Sequence, residues 1–310
     1  MKIEEHIYDV NNLISNIKFP FISQENKKII QELVEITHDF QEINQLYELF
    51  KINFEQMLFM YTLKPNDEII NNFNKPNNKK DLLTINALLI NYISSAKTFI
   101  ESIEKNLKCK SNEEKNEFKT KVISKIYDQN FSYRLLLRLR DYSQHGYLPV
   151  YMSEDNRCSF DIDQIINVQH FNFNKKILEE LNNIRNEIIK KYKNNPRILF
   201  TRTIAEFHIC IIIIYKKYIE EIKEKYKKTI VEFNKMIDKN PHIIYKSNNA
   251  LNGYIFYNTN NGRFDCINSN DKSMEMFKTI EREINIEFKN EIKEFERCFN
   301  DIKNILDLSN

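Results

Sequence analysis

A chain of 310 residues is long enough for one large domain or two modest ones with a true hydrophobic core. Its formal net charge of +2 excludes a surface that grips long nucleic acid throughout, so any nucleic-acid role needs a local positive site. Only three glycines (Gly146, Gly253, Gly262) and six prolines punctuate it, too few turn formers for a sheet-rich fold. The expected fold class is therefore all-α, with a small antiparallel β hairpin or meander near the C-terminus.

Residues 1–19 read as a short amphipathic helix stopped by Pro20. Ser23 is placed to cap a long helix that reaches about Leu63, with Ile29, Ile30, Leu33, Ile36, Phe40 and Ile43 at three-to-four spacing. The stretch 64–80 is polar, Asn-rich and holds two prolines, and marks the first boundary. The division expected is N-terminal helices over 1–78, a helical bundle over 79–240, and a β hairpin with a C-terminal helix over 241–310. A helix over about 81–107 comes next, with Leu82, Ile85, Leu89, Tyr92, Ile93 and Phe99 on its apolar face. SNEE at 111–114 has the form of a capping box and begins a helix to about Tyr127.

The segment FSYRLLLRLRDYSQH reads as a helix over 131–145, with Gly146 placed for a left-handed C-terminal cap and Pro149 preventing continuation. Residues 147–168 read as irregular, with short strands near 150–152 and 158–162. A helix over about 174–192 precedes Pro196, and a long helix follows over about 197–237. Its middle, HICIIIIY, has strand propensity, but its flanks AEF and KKYIEEIKEKYKK are helical, so a fully buried helix is expected. His208 on that helix is expected to be a satisfied core residue. The β-prone runs lie at 243–268, with turns at 249–253 and 260–262, and Asn270 or Asp271 starts a charged helix.

The five cysteines (Cys109, Cys158, Cys210, Cys266, Cys298) form no CxxC or Cys/His pair with metal spacing, and their scatter suggests reduced thiols in a cytoplasm. No P-loop, GxSxG, GxGxxG or HExxH occurs, so neither metal nor cofactor is expected. The stretch MKIEEHIYDVNNL has acids and no apolar run, unlike a signal peptide. The longest apolar run, 209–215, is far short of a membrane span.

Chemistry concentrates in the helix over 131–145. Arginine occurs ten times, and three of the ten fall between 134 and 140. Arginine is the planar, bidentate phosphate binder, whereas lysine is a solvated point charge. Steps of four, three and four put Arg134, Arg138, Asp141 and His145 on one helical face. Arg140 lies about 140° from His145 on an ideal helix, and joins it only if the last turn loosens near Gly146 or a second subunit closes the gap. A histidine can move a proton near neutral pH, a guanidinium can clamp a phosphate, and an aspartate one turn earlier can orient the imidazole. Such parts suffice to cleave RNA without metal through attack of the ribose 2′-OH. The bland counterpart is ordinary ion pairing for Arg134 and Arg138, and a cation at a helix C-terminus for His145.

The run Arg140-Asp141-Tyr142-Ser143-Gln144-His145 resembles the active-site motif of HEPN ribonucleases: an arginine, a polar residue, three further residues, then histidine. Arg138 to His145 satisfies the longer spacing that the family also shows. The resemblance covers about 80–235. It implies a HEPN-like helical bundle whose motif ends one helix, and a homodimer in which two motif copies form one RNA-cutting site. It also implies metal independence, and a role as a toxin or anti-phage effector with an antitoxin or defence-system partner. On this resemblance Arg140, Asp141 and His145 are catalytic, with Arg138 and Arg134 on the RNA phosphates. His145-Gly146-Tyr147 is similar to the extension of HEPN toxins whose tyrosine is AMPylated by an antitoxin, which makes Tyr147 a modification candidate. The competing expectation is a non-catalytic helical dimerisation or interaction module.

Overall fold

The computed structural model describes residues 24–62, 79–105, 107–152, 158–168, 173–192, 195–239, 245–246, 253–258, 263–268 and 270–299. The helix expected over 1–19, the loop over 64–80 and the turns at 249–253 and 260–262 fall wholly or largely outside them. The elements in chain order are α1 (Gln24–Thr62), α2 (Lys79–Lys105), α3 (Asn112–Phe118), a π-helical turn (Lys119–Ser124), α4 (Lys125–Gln129) and α5 (Phe131–Gln144). They continue with β1 (Tyr151–Met152), β2 (Cys158–Asp161), α6 (Ile162–Ile166), α7 (Lys175–Tyr192), β3 (Arg197–Leu199) and α8 (Phe200–Lys239). The last are β4 (Tyr245–Lys246), β5 (Gly253–Asn258), β6 (Arg263–Asn268) and α9 (Asn270–Phe299). The chain is all-α with small antiparallel sheets. No helix among the described residues is long and apolar enough to cross a membrane.

Two expectations about elements change. The helix begun by the Ser111–Glu114 capping box does form, with the Glu114 amide donating to Ser111 Oγ and the Ser111 amide to Glu114. It is not uniform, however: a π-helical turn interrupts it over Lys119–Ser124. Nor does the long helix begin at Arg197. Arg197–Leu199 is a strand, because β2 is wholly buried and its second edge needs a partner. β3 supplies it, with Ser159 opposite Leu199, and β1 covers the other edge with Tyr151 opposite Ser159. Ladder pairing overrides the helical propensity of those three residues.

The chain divides into two compact units. The first comprises 1–39 and 221–279. Its described core brings Ile30, Leu33 and Ile36 of α1 together with Ile222, Tyr226 and Phe233 of α8 and Phe277 of α9. The rings of Tyr226 and Phe277 lie 5.1 Å apart. β4, β5 and β6 form an antiparallel meander in that order, with Ile255 opposite Tyr245 on one side and Cys266 on the other.

The second unit comprises 40–220 and 280–310. The apolar run of α8 is fully buried, as its length required. His208 is a core residue. Its ring stacks on Phe54 at 3.8 Å and Phe50 at 5.1 Å, and its Nδ1 lies 3.2 Å from the Tyr92 hydroxyl. Burial, with the charge of Lys51, depresses its pKa to about 3, so the ring is neutral. On α9, Glu287 accepts from Tyr47 Oη at 2.9 Å and faces Lys51 at 3.6 Å. One turn on, Glu291 is half-buried near Glu287 and Glu294, and that burial together with those like charges raises its pKa to about 7.

These groups act in opposite directions on stability. His208 binds a proton in the unfolded chain below about pH 6.5 but in the fold only near 3, so its contribution is lost as pH falls. Glu291 holds a proton in the fold up to about pH 7 but loses it near 4.5 when unfolded, so it costs stability as pH rises between those values. Glu291→Gln should therefore stabilise the protein by about 2 kcal/mol at pH 8 and hardly at all at pH 4.5, measured by urea unfolding at the two pH values.

Candidate functional site

Asn130 begins α5, its extended backbone carrying a side-chain oxygen that accepts from the Tyr133 amide at 2.7 Å. α5 then packs on α2, α4 and α7. The helix ends at Gln144. His145 has φ −84° and ψ 10°, outside the helical basin, and Gly146 sits at φ +88°, the left-handed cap that only glycine adopts cheaply. Just beyond, Asn86 of α2 acts as a strand would. Its amide nitrogen donates to the Val150 carbonyl at 3.0 Å, and its oxygen accepts from the Val150 amide at 2.9 Å. That clasp holds the chain leaving α5 against the bundle.

The five polar residues of the stripe separate into a structural and a surface group. Arg134 is only 3% exposed. Its Nε donates to Glu180 Oε2 at 3.1 Å, its Nη2 to the other Glu180 oxygen and its Nη1 to the Tyr127 carbonyl, while its guanidinium faces the Tyr127 ring at 6.0 Å. A fork so occupied offers no edge to a phosphate, which corrects the expectation for Arg134. Its ordinary ion-pairing role is the one observed.

Arg138 and Arg140 converge instead on one carboxylate. Asp141 accepts from Arg138 Nη1 at 3.2 Å, from Arg140 Nη1 at 3.4 Å and from Lys97 Nζ of α2 at 3.0 Å. Arg140 Nη1 also donates to Gln144 at 2.8 Å. Among the described residues Asp141 therefore turns to these three cations, not to His145, so its expected role in orienting the imidazole gives way to one of holding the cations together. Partial burial pushes the Asp141 carboxyl upward, but the hydrogen bond and charge of Lys97, with Arg140 and Arg138, outweigh it and hold the group below its ordinary value. It is a carboxylate at neutral pH.

Helical geometry placed Arg140 away from this face. Its long side chain swings back along the helix surface, so both arginines reach the same carboxylate. Lys97 escaped the reading of the sequence. One signal was present: between Lys80 and Lys105 it is the single cation of α2, set among residues that otherwise face the core. His145 is exposed at the helix end, one turn past Asp141. Tyr147 is half-buried, its ring 5.1 Å from that of Tyr142, whose hydroxyl meets Tyr151 Oη at 3.2 Å.

The site is thus a surface cluster of three cations around one carboxylate, with an exposed imidazole one turn further along the chain. No family model, no curated protein and no solved structure matches the chain.

The two arginine types should separate in mutagenesis. Arg134→Ala should cost about 2–4 kcal/mol of stability, below the full cost of breaking a buried pair because Glu180 keeps 29% of its side-chain surface. Arg138→Ala, at 33% exposure, should cost less than about 1 kcal/mol, both read from denaturant midpoints.

Proposed function

We propose that the chain is a metal-independent endoribonuclease of HEPN type, acting as a toxin or anti-phage effector. The observation that carries this reading is the Lys97–Arg138–Arg140 cluster beside exposed His145, at the end of the helix bearing the Arg-Asp-x3-His spacing. Three cations gathered on one carboxylate at the surface form a candidate anion site. A scissile phosphate entering it would take hydrogen bonds from the guanidinium forks and displace part of Asp141's share.

In the proposed reaction the ribose 2′-oxygen attacks the adjacent phosphorus as its proton passes to an imidazole. The bond from phosphorus to the 5′-oxygen breaks, and that oxygen takes a proton as it leaves. The products are a 2′,3′-cyclic phosphate and a 5′-hydroxyl. One His145 can serve as base or acid, and the homodimer implied by the resemblance supplies the second from the partner. The arginines and Lys97 bear the charge that develops on the phosphoryl oxygens.

A second reading is a helical interaction module. It is favoured by the arginines' engagement with Asp141 in the free chain, which is how a purely structural ion-pair network looks. Purified protein incubated with RNA separates the two. Under the ribonuclease reading RNA is cut to 2′,3′-cyclic phosphate ends, EDTA leaves the rate unchanged, and His145→Ala loses about 10²-fold or more. Equal RNA integrity with wild type and His145→Ala, under conditions where both are folded, would leave the interaction module.

A further inference from the structure

In the second unit α9 turns a mixed face to the core. Between 280 and 298 only two of its side chains are buried, Ile284 and Phe295. Steps of three, four and four put Ile284, Glu287, Glu291 and Phe295 on one helical face. A helix that docks on a core normally shows it an unbroken apolar stripe. Here two apolar anchors bracket two acids.

The two acids meet different surroundings. Glu287 has partners on two helices. Tyr47 Oη donates to it at 2.9 Å, Lys51 Nζ of α1 lies at 3.6 Å, and His208 Nε2 of α8 lies at 3.9 Å. Glu291, one turn on, has neither a hydrogen bond nor an ion pair among the described residues. Lys51 is already shared between Glu287 and Glu48, the latter at 3.8 Å.

The titratable and charged groups around this stripe come from four helices. α1 presents Tyr47, Glu48 and Lys51, and α2 presents Tyr92. α8 presents His208, Tyr215 and Lys216, the last over the Phe288 ring at 4.2 Å. α9 itself adds Glu283, Lys289 and Glu294. Burial, then the charge of Glu291, holds the Tyr92 phenol far above its ordinary value, which puts Glu291 within electrostatic reach of α2. His208 is neutral and the tyrosines are protonated at neutral pH, so neither supplies a charge that would steady a carboxylate. The charges that act on Glu291 are those of Glu287 and Glu294, both negative.

We propose that 280–299 of α9 is a strap controlled by a single proton: it stays docked on α1 and α8 while the Glu291 carboxyl is protonated, and it is released when that proton leaves. The docked strap keeps the proton up to about pH 7, whereas the ordinary value is 4.5, so release becomes easier as pH climbs between those values and gains nothing further above them. Docked, α9 covers the Tyr47 hydroxyl, the Lys51 ammonium and the Nε2 edge of His208, and release uncovers all three. The His208 ring keeps its stacking on Phe50 and Phe54 of α1, which does not involve α9. Nothing in the strap depends on the ribonuclease reading.

Hydrogen exchange of the full chain, read by mass spectrometry at pH 5 and pH 8, tests this. In the wild type at pH 8 the amides of α9 beyond 280 should exchange before those of α2 and α8. Glu291→Gln, which keeps the shape of the protonated acid, should slow α9 exchange about a hundredfold at pH 8 and only a few-fold at pH 5. His208 is common to both proteins, so its own titration cancels in the comparison. Glu296→Gln removes the same charge from the exposed side of α9 and should change the exchange less than about twofold. If α9 exchanges no sooner than α2 and α8, the helix opens only with the whole fold and the strap is overturned. A Glu291→Gln effect no larger than that of Glu296→Gln overturns it too, because overall charge and not that proton would then govern docking.

Discussion

The guanidinium of Arg134 sets the rest of the site. A charge taken out of water must be fully bonded, and here one side chain draws on the Glu180 carboxylate of α7 and the Tyr127 carbonyl of α4. Those bonds fix the rotation of α5 about its own axis. Once that rotation is set, Leu135, Leu136 and Leu139 must face the core, and Arg138 and Asp141 must come up on the side facing Lys97. The buried arginine thus decides where the two half-exposed ones stand.

Much of this was legible in the sequence, and the remainder failed for identifiable reasons. Long helices were plain because apolar residues recur at helical spacing over many turns and turn formers are scarce. The capping box at Ser111 and the left-handed cap at Gly146 were legible because each is a local contract between backbone and one side chain. The strand at Arg197–Leu199 was not, since its reason is the exposed ladder of β2, nearly forty residues earlier in the chain. The stripe was half read. Spacing brought Arg134, Arg138 and Asp141 to one face, but spacing cannot say how deep a residue lies, and depth is what divides Arg134 from Arg138. Lys97 lay on another helix, and only tertiary packing brings it to Asp141.

The second unit keeps its polar groups in places that serve different ends. Around His208, buried aromatic rings and the Glu287–Tyr47 hydrogen bond make a core whose polar members are mostly matched, with Glu291 as the strained exception. Around Asp141 the ion pairs stay half open to water, where rearrangement is cheap. At Tyr133 a fully enclosed hydroxyl finds no hydrogen-bond partner among the described residues. The first arrangement suits folding, and the second suits exchange of partners.

The π-helical turn at Lys119–Ser124 carries a consequence for how this surface could arise or vanish. A π turn is an α-helix with one surplus residue, and removing that residue restores an unbroken α-helix. Everything downstream would then rotate by about 100° relative to what precedes it. Tyr127 would leave the Arg134 guanidinium, and Lys119 and Tyr127 would no longer face the same groove. A one-codon deletion is thus a single genetic step between a chain with this arrangement of Lys119 and Tyr127 and a plain helical bundle, and the length of this one segment is a trait on which selection can act directly.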